Sequence, residues 1–446
     1  MDKIRIVLLC NIFRPTALAS LMLGLAFINR VLPPLIEVGE FTIRYIDIAT
    51  ALLAWVAFWK LYVQRISFFQ DKWWVFFRPL IPFFIYAGLS IGLVQIYVPD
   101  VIWASVASYI RLVITILMGW LIYMSIEKEY DLELIVKSIL IFATISIIFG
   151  IWQAFSESLE RILIDRYGGF LGINNFGFVS GLLSGLLIVW SIVAFIYNTI
   201  SLSSIITLFI GVFGLFLSKS ATSIMAVIAT ILFLGIVLIR AKFSKKMQIV
   251  ASISVLIAGI GLLIGILRVI RSSDLIGLLT LSGGSWAQRL ILAYAALQIF
   301  FNHPLGVGWQ ASKTKAIIGD PNLNKTLMET FPQFHRGYFF VDYQLSLHNM
   351  YLQILAELGI IGFLLFIYGI AQIAKMLIAL TNKISARSQL KRYAMFCAIS
   401  LVYLLIWWNS RVLFGGHIES VLAVSFLSII AKIGQFEDRN KTQKSI

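Results

Sequence analysis

The sequence predicts an all-α integral membrane protein with about twelve transmembrane helices. Of its 446 residues, 60% are hydrophobic and only 13% are charged, whereas a soluble domain has about 25% charged residues. Apolar runs of roughly 20 residues, the length that crosses a bilayer, recur along the chain. Lys and Arg collect in the loops at alternate ends of these runs. These three observations exclude a large soluble protein.

The predicted spans follow one another closely. They lie near residues 10–32, 43–62, 79–97, 101–124, 134–154, 174–197, 201–217, 220–239, 248–270, 349–380, 392–408 and 417–434. The longest connection is the loop 271–348. Since no connection is long enough for a separate soluble domain, residues 1–446 are predicted to form a single polytopic membrane domain.

The basic residues predict the orientation. They are concentrated in the segments 60–78, 240–246, 383–392 and 439–444. With an even number of spans, these segments and both termini lie on one side, which the positive-inside rule makes the cytoplasm. The net charge of +15 is explained in this way, so membrane lipids are expected partners and nucleic acid is not.

The opposite, outer face is predicted to carry the unusual composition. Three stretches lie there: 156–175, 218–220 and the long loop 271–348. Within the long loop, residues 285–300 have the pattern of an interfacial helix, because a few polar and amphipathic side chains interrupt an apolar run. The two cysteines, Cys10 and Cys397, fall in apolar stretches, and a disulfide between them stays open.

A histidine lies at the start of the tenth predicted span. The stretch begins His348-Asn349, continues as an apolar helix with Glu357, and contains Gly359 and Gly362. The partial positive charge of a helix N-terminus disfavours an imidazolium, so we expect His348 to be neutral and able to accept a proton. The alternative role is a helix-capping residue at the membrane surface. The glycines are expected to let a neighbouring helix approach closely.

This stretch resembles the signature of the O-antigen ligase and polymerase family. That signature is His, then Asn, Ser or Gln, nine residues, Gly, two residues, and Gly, Thr or Tyr. Here it reads His348, Asn349, nine residues, Gly359, two residues and Gly362. Arg289 on a helix, followed by a His-Pro-Leu-Gly-x-Gly turn at 303–308, also resembles the family. We expect His303 of that turn to be structural.

A second resemblance lies in the outer stretch before the sixth span. Arg166 is followed, after ten residues, by Gly177, which is similar to a motif of some O-antigen polymerases. A plain loop with Arg166 paired to Asp165 or to a lipid phosphate is the alternative. Lys219 stands where many family members have an arginine, and this difference makes Lys219 a weaker candidate for binding substrate.

The resemblance implies a catalytic residue and a set of substrate ligands. His348 is the expected catalytic base. The predicted pyrophosphate ligands are Arg166 and Arg289, which lie in the resembling motifs, and Arg411, which is an isolated cation in the last outer turn. The weaker substrate-binding candidates are Arg161, Lys219, Arg336 and Asn349. Glu357 is an intramembrane carboxylate, which is a functional candidate by default, although it could simply pair with a neighbouring cation. No metal site and no cofactor are expected.

The resemblance also implies a GT-C-like, metal-independent, inverting glycosyltransferase on the periplasmic face of the bacterial inner membrane. Its donor is a glycan on undecaprenyl pyrophosphate. The acceptor is lipid A core in the ligase branch and a second lipid-linked glycan in the polymerase branch. The His-Asn signature favours the ligase, and the Arg166-to-Gly177 spacing favours the polymerase; we place the ligase slightly ahead.

A small-anion transporter is the alternative from a different class, because outer arginines and a histidine also bind anions. Transporters typically show internal repeats or broken helices near the midplane of the membrane. The sequence indicates neither feature, which favours the enzyme.

Overall fold

The computed structural model describes most of the chain. The described residues are 14–28, 35–38, 41–64, 72–156, 177–197, 199, 201–242, 284–334, 339, 346–384, 389–410 and 418–444. Within them the chain is helical apart from turns and one antiparallel ribbon, formed by β1 (Ile36–Val38) and β2 (Phe41–Ile43), in which Glu37 pairs with Thr42.

The helices are numbered here in chain order. They are α1 (Pro15–Ile28), α2 (Tyr45–Gln64), α3 (Lys72–Phe77), α4 (Ile81–Leu89), α5 (Ile91–Tyr97), α6 (Ile102–Ser125), α7 (Glu129–Phe155), α8 (Gly177–Ile196), α9 (Leu202–Ser218), α10 (Ala221–Lys242), α11 (Gly284–Asn302), α12 (Pro321–Thr330), α13 (Met350–Lys383), α14 (Gln389–Trp407) and α15 (Ile418–Lys444). Short 3-10 turns cover Arg78–Leu80, Pro99–Val101 and Trp408–Ser410.

Seven helical segments of the described chain are long and apolar enough to cross a membrane. They are Lys72–Tyr97, Pro99–Ser125, Glu129–Phe155, Val179–Ile196, Met350–Lys383, Gln389–Trp407 and Ile418–Arg439. Shorter apolar helices lie at Pro15–Ile28, Tyr45–Trp59, Leu202–Ser218 and Thr222–Ile236. The all-α, multi-pass character is thereby confirmed. Each predicted span except 248–270, which lies outside the described residues, coincides with one of these helices, and the total of twelve stays a prediction.

Contacts between helix termini define two ends of the bundle. At one end, Lys72 Nζ lies 2.6 Å from Asp438 Oδ2, which joins the start of α3 to the end of α15. At the same end, Thr16 Oγ1 donates to Asp131 Oδ1 at 3.1 Å and to the carbonyl of Ser125, which ends α6. We call this the Lys72 end, and the opposite end, where α13 begins and α14 finishes, the His348 end.

The long connection between α10 and α13 contains a folded unit in its described part. Apolar residues of α11 and α12 form a second buried cluster beside the main core. This second cluster includes Ile291, Ala295 and Leu327. Val94 and Val98, from α5 and the residue that follows it, and Ala356 of α13 complete this cluster. The predicted helix at 285–300 is present as α11 (Gly284–Asn302), and it packs against α13 as well as the cluster.

Helix α13 is broken at Gly359, contrary to the expectation from sequence. This residue has φ +62° and ψ −166° inside an otherwise helical run. The backbone of the turn at 303–308 enters the break: Val307 N–H donates to the carbonyl of Ala356 at 3.1 Å, and Ile360 N–H donates to the carbonyl of Pro304 at 3.1 Å. In an unbroken helix Ile360 would bond to Ala356. The turn therefore supplies partners to both groups that the break leaves open.

The signature glycines have a different role from the one expected. A Cβ on Gly359 would lie 2.2 Å from the carbonyl oxygen of Pro304, and one on Gly306 would lie 2.2 Å from that of Glu357. A Cβ on Gly362 would meet the side chain of Leu358 on its own helix at 2.2 Å. Gly359 and Gly306 thus leave room for close contact between the break and the 303–308 turn, and Gly362 leaves room for Leu358 of its own helix. The element that approaches is a turn and not a neighbouring helix.

Candidate functional site

His348 directly precedes the N-cap of α13. Its φ is +49°, in the left-handed region, where His is found more often than most non-glycine residues. The N-cap is Asn349, whose Oδ1 accepts the Leu352 N–H at 3.1 Å. The capping role that was the alternative for His348 therefore belongs to Asn349. His348 is partly buried one position outside the helix.

Asn349 also joins the start of α13 to the end of α14. Its Nδ2 donates to Oδ1 of Asn409 at 3.0 Å. Two residues further along the chain, the Tyr351 hydroxyl donates to the carbonyl of Leu405 at 2.7 Å. These two contacts fix the beginning of the His348 helix against the last turn of α14. Asn409 lies two residues before Arg411.

The end of α14 in turn contacts the beginning of α10 and α8. Trp407 Nε1 donates to Ser223 Oγ at 3.0 Å, and the Tyr403 hydroxyl donates to the carbonyl of Gly181 at 3.2 Å. The absence of a side chain at Gly181 lets α8 approach Ser223 of α10 closely, because a Cβ at Gly181 would lie 2.5 Å from Ser223 Oγ. The three helices are therefore tightly packed at the His348 end.

Arg289 of α11 reaches the same place. Its Nη1 donates to Oγ1 of Thr222 at 3.2 Å, in the first turn of α10. Lys219 lies three residues before Thr222, where it ends α9 with φ +46°. The structure thus brings the Lys219 turn, Arg289 and the positive N-terminus of α10 together. Three hydrogen bonds, Asn349 to Asn409, Trp407 to Ser223 and Arg289 to Thr222, therefore link the chain beside His348 to Arg289 through the end of α14 and the start of α10.

Four predicted site residues, Arg161, Arg166, Arg336 and Arg411, lie outside the described residues. The segment that carries Arg161 and Arg166 is followed by α8, whose Gly181 contacts Tyr403 and packs against Ser223 at the His348 end. Arg411 follows the turn that holds Asn409. Their assignment stays a prediction.

Glu357 is fully buried and has three hydrogen-bond donors. Its Oε2 accepts the backbone N–H of Gln310 at 2.8 Å. Its Oε1 accepts Ser312 Oγ at 2.6 Å and Gln353 Nε2 at 2.8 Å. We call these four residues the Glu357 cluster. The carboxylate therefore binds polar groups of the loop after the 303–308 turn.

His303 has the surroundings of a structural residue. Its ring makes an edge contact with Tyr97, with centroids 4.8 Å apart. Its carbonyl accepts the Gly306 N–H at 2.8 Å and so closes the proline turn. These contacts support the structural role expected for it.

Several residues of the site had no signal strong enough to be predicted. Asn409, Thr222 and Ser223 are small polar residues at the ends of apolar helices, and only their nearness in sequence to Arg411 and Lys219 pointed to them. Gln353 lies four residues before Glu357, a spacing that places two side chains on one helix face and could have indicated their contact.

The described residues contain no group of three or more His, Cys, Asp or Glu side chains arranged to hold a metal ion. Cys397 is a buried free thiol. Independence of metal stays a prediction.

Fold and site define a multi-pass, helical membrane protein with a histidine, a lysine and an arginine grouped at one end of its bundle. Residues 206–367 match the family model described as O-antigen ligase. The match contains Lys219, Arg289, the 303–308 turn and the signature from His348 to Gly362. It supports an assignment to the O-antigen ligase/polymerase family, as the resemblance predicts. No curated protein matches the chain.

Proposed function

We propose that this protein is an O-antigen ligase that transfers a glycan from undecaprenyl pyrophosphate to a sugar hydroxyl of lipid A core. In this proposal the fold is GT-C-like and the reaction takes place at the periplasmic face of the bacterial inner membrane. The observation that carries the proposal is the path of three hydrogen bonds and adjoining chain that links His348 to Arg289 through the end of α14 and the start of α10. A glycosyl transfer needs a base for the acceptor and cations for the leaving diphosphate, and both kinds of group lie along that path.

The leaving group is held by cations and by a helix terminus. Arg289 binds Thr222 in the first turn of α10, and Lys219 ends the preceding helix. A guanidinium, an ammonium and the positive end of a helix together attract a diphosphate. They stabilise the charge that develops on the diphosphate as the glycosidic bond breaks. Arg166 and Arg411 complete this set in the proposal.

His348 accepts the proton of the acceptor hydroxyl. As the hydroxyl oxygen attacks the anomeric carbon, the bond from that carbon to the diphosphate oxygen breaks, and the diphosphate leaves as an anion. One displacement inverts the configuration at the anomeric carbon. The positive N-terminus of α13 favours a neutral imidazole before the reaction, which is the form that acts as a base.

The polymerase is the second candidate function. It uses the same donor and the same groups, but its acceptor is another lipid-linked glycan. The spacing of Arg166 and Gly177 favours it, whereas the His348-Asn349 pair favours the ligase. The two functions differ in the acceptor and are therefore separated by the product.

The break in α13 removes one argument against a small-anion transporter, since transporters use broken helices. However, the backbone of the 303–308 turn satisfies Ala356 and Ile360, the groups that an ion would otherwise bind. The break is thus filled by the protein itself, which favours the enzyme.

The test is transfer by purified protein from a glycan on undecaprenyl pyrophosphate. The acceptors are lipid A core in one reaction and a lipid-linked glycan in another. His348→Ala should lower the rate about 10²–10⁴-fold, the usual contribution of a general base. His303→Gln is the matched control at the same end and should retain most of the rate. Near-normal transfer by His348→Ala contradicts the assigned base, and transfer to the lipid-linked acceptor alone identifies a polymerase.

A further inference from the structure

We propose that Glu357 is a positioning residue that fixes the distance between the base, His348, and the pyrophosphate ligand, Arg289. This inference rests on the proposed function. The two groups belong to different helical segments. His348 precedes the segment from Met350 to the break at Gly359, and Arg289 lies on α11, which ends at Asn302.

Both segments end at the same junction. The 303–308 turn directly follows α11, and it enters the break that directly follows the His348 segment. Gly308 N–H donates to the backbone carbonyl of Glu357 at 2.8 Å. A shift of the turn relative to Glu357 would therefore move one segment with respect to the other.

The side chain of Glu357 locks this junction. It is 0% exposed, and it binds both sides: Gln310 and Ser312 follow the turn, and Gln353 belongs to the His348 segment. A buried polar group that loses its hydrogen-bond partner destabilises the arrangement that leaves it unpaired. Since one carboxylate satisfies three donors, a displaced turn would leave several of them unpaired, so the bonded arrangement is strongly preferred.

The backbone at Gln310 provides a second reason. Its φ is +62°, a conformation that a non-glycine residue keeps only when its surroundings impose it. Here the N–H of Gln310 is held by the Glu357 carboxylate at 2.8 Å. Such strain is often kept where the exact position of a segment matters for function.

The experiment compares Glu357→Gln, Ser312→Ala and Thr314→Ala in the transfer reaction. The amide in Glu357→Gln keeps the length of the side chain but has one acceptor oxygen in place of two. Ser312→Ala removes one donor of the Glu357 cluster. Thr314→Ala is the matched control, because Thr314 is a buried hydroxyl of the same loop that bonds to Ala311 and not to Glu357.

We expect Glu357→Gln to lower kcat about 10–100-fold, as displacement of a reacting group by about 1 Å does. The KM for the donor should change less than about threefold, because each group is present and only their separation has changed. Ser312→Ala should show a smaller loss in the same parameter. Thr314→Ala should have nearly normal kcat, and all three proteins should remain monodisperse in detergent.

A role in stability alone would give a different result. In that case kcat per folded protein would stay normal in Glu357→Gln, or Thr314→Ala would lose as much as Ser312→Ala, and either outcome overturns the inference. The residual rate of His348→Ala, measured with enzyme in excess over radiolabelled donor, should not fall further when Glu357→Gln is added. A further fall by the full factor would show that Glu357 acts independently of His348.

The two proposals fail in distinguishable ways. If His348→Ala transfers normally, the assigned base is wrong regardless of Glu357. If His348→Ala is inactive and Glu357→Gln has normal kcat, only the positioning role is wrong.

Discussion

At the scale of single residues, the backbone strain in this protein coincides with the proposed site. Lys219, Gln310 and His348 are the non-glycine residues with positive φ in the described part of the chain. Lys219 and His348 are predicted site residues, and Gln310 belongs to the Glu357 cluster. Each such conformation costs on the order of 1 kcal/mol or more. Strain concentrated in this way is typical of residues whose position is constrained by function.

Arg289 provides the prediction at this scale. Arg289→Lys keeps the charge but replaces a planar fork, which matches two phosphate oxygens, by a point charge. We expect transfer to fall at least about tenfold, chiefly through a higher KM for the donor, as for the loss of roughly one charge-assisted hydrogen bond. The measurement is steady-state transfer at varied donor concentration.

Arg392→Lys is the control for that substitution. Arg392 lies near the start of α14, and its guanidinium stacks on Trp190 at 4.9 Å, far along the helix from Trp407. Its replacement should leave the KM for the donor unchanged. An equal effect of both substitutions would remove the case for Arg289 as a phosphate ligand.

At the scale of elements, the break in α13 depends on two glycines. Gly359 and Gly306 have positive φ, and a Cβ on either would lie 2.2 Å from a backbone atom of the other segment. Neither contact can be relieved by rotation of a side chain. We therefore expect Gly359→Ala and Gly306→Ala to destabilise the protein by at least about 2 kcal/mol each.

Gly92→Ala is the matched control. Gly92 lies in α5, and a Cβ there meets nothing within 4 Å. Ala is also the better helix former. Thermal unfolding in detergent should show a lower midpoint for the two break variants and an equal or higher midpoint for Gly92→Ala. A normal midpoint in Gly359→Ala would mean that the helix can close without the turn.

The break also shows what hydropathy could not predict. Residues 349–380 are predicted as one uninterrupted span, because the apolar run continues on both sides of Gly359 and a single glycine is tolerated in membrane helices. The conformation at Gly359 depends on the backbone of residues 304–308, which are about 50 positions away in the sequence. The resemblance identified both motifs separately, but only the structure shows that one motif fills the break in the other.

At the scale of the whole molecule, the sequence predicts the helices better than their arrangement. The positions of α6, α7 and α14 follow from apolar runs of sufficient length. The loop charges, with alternating spans, predict that the starts of α3 and α7 and the C-terminal end of α15 lie at the same end of the bundle. The contacts of Lys72 with Asp438 and of Thr16 with Asp131 agree with this alternation. Lateral neighbours such as Trp407 and Ser223 carry no such signal, because most apolar helix faces can pack together.

The last prediction concerns the orientation of the two ends in the membrane. Thr326 is an exposed residue of α12 in the long connection, and Asn382 is an exposed residue near the end of α13. The basic segments predict that α12 faces the periplasm and that the end of α13 faces the cytoplasm. In a background with Cys10→Ser and Cys397→Ala, a membrane-impermeant thiol reagent should label Thr326→Cys in intact cells.

In the same background, Asn382→Cys should be labelled only after the inner membrane is opened. The exposed side chains make accessibility a measure of sidedness, whereas a buried position such as Ser312 would stay unlabelled on either side. Labelling of both cysteines in intact cells would place the two ends of the bundle on one face and contradict the alternation. Labelling of Asn382→Cys alone would invert the protein and move His348 to the cytoplasmic face, away from a periplasmic donor.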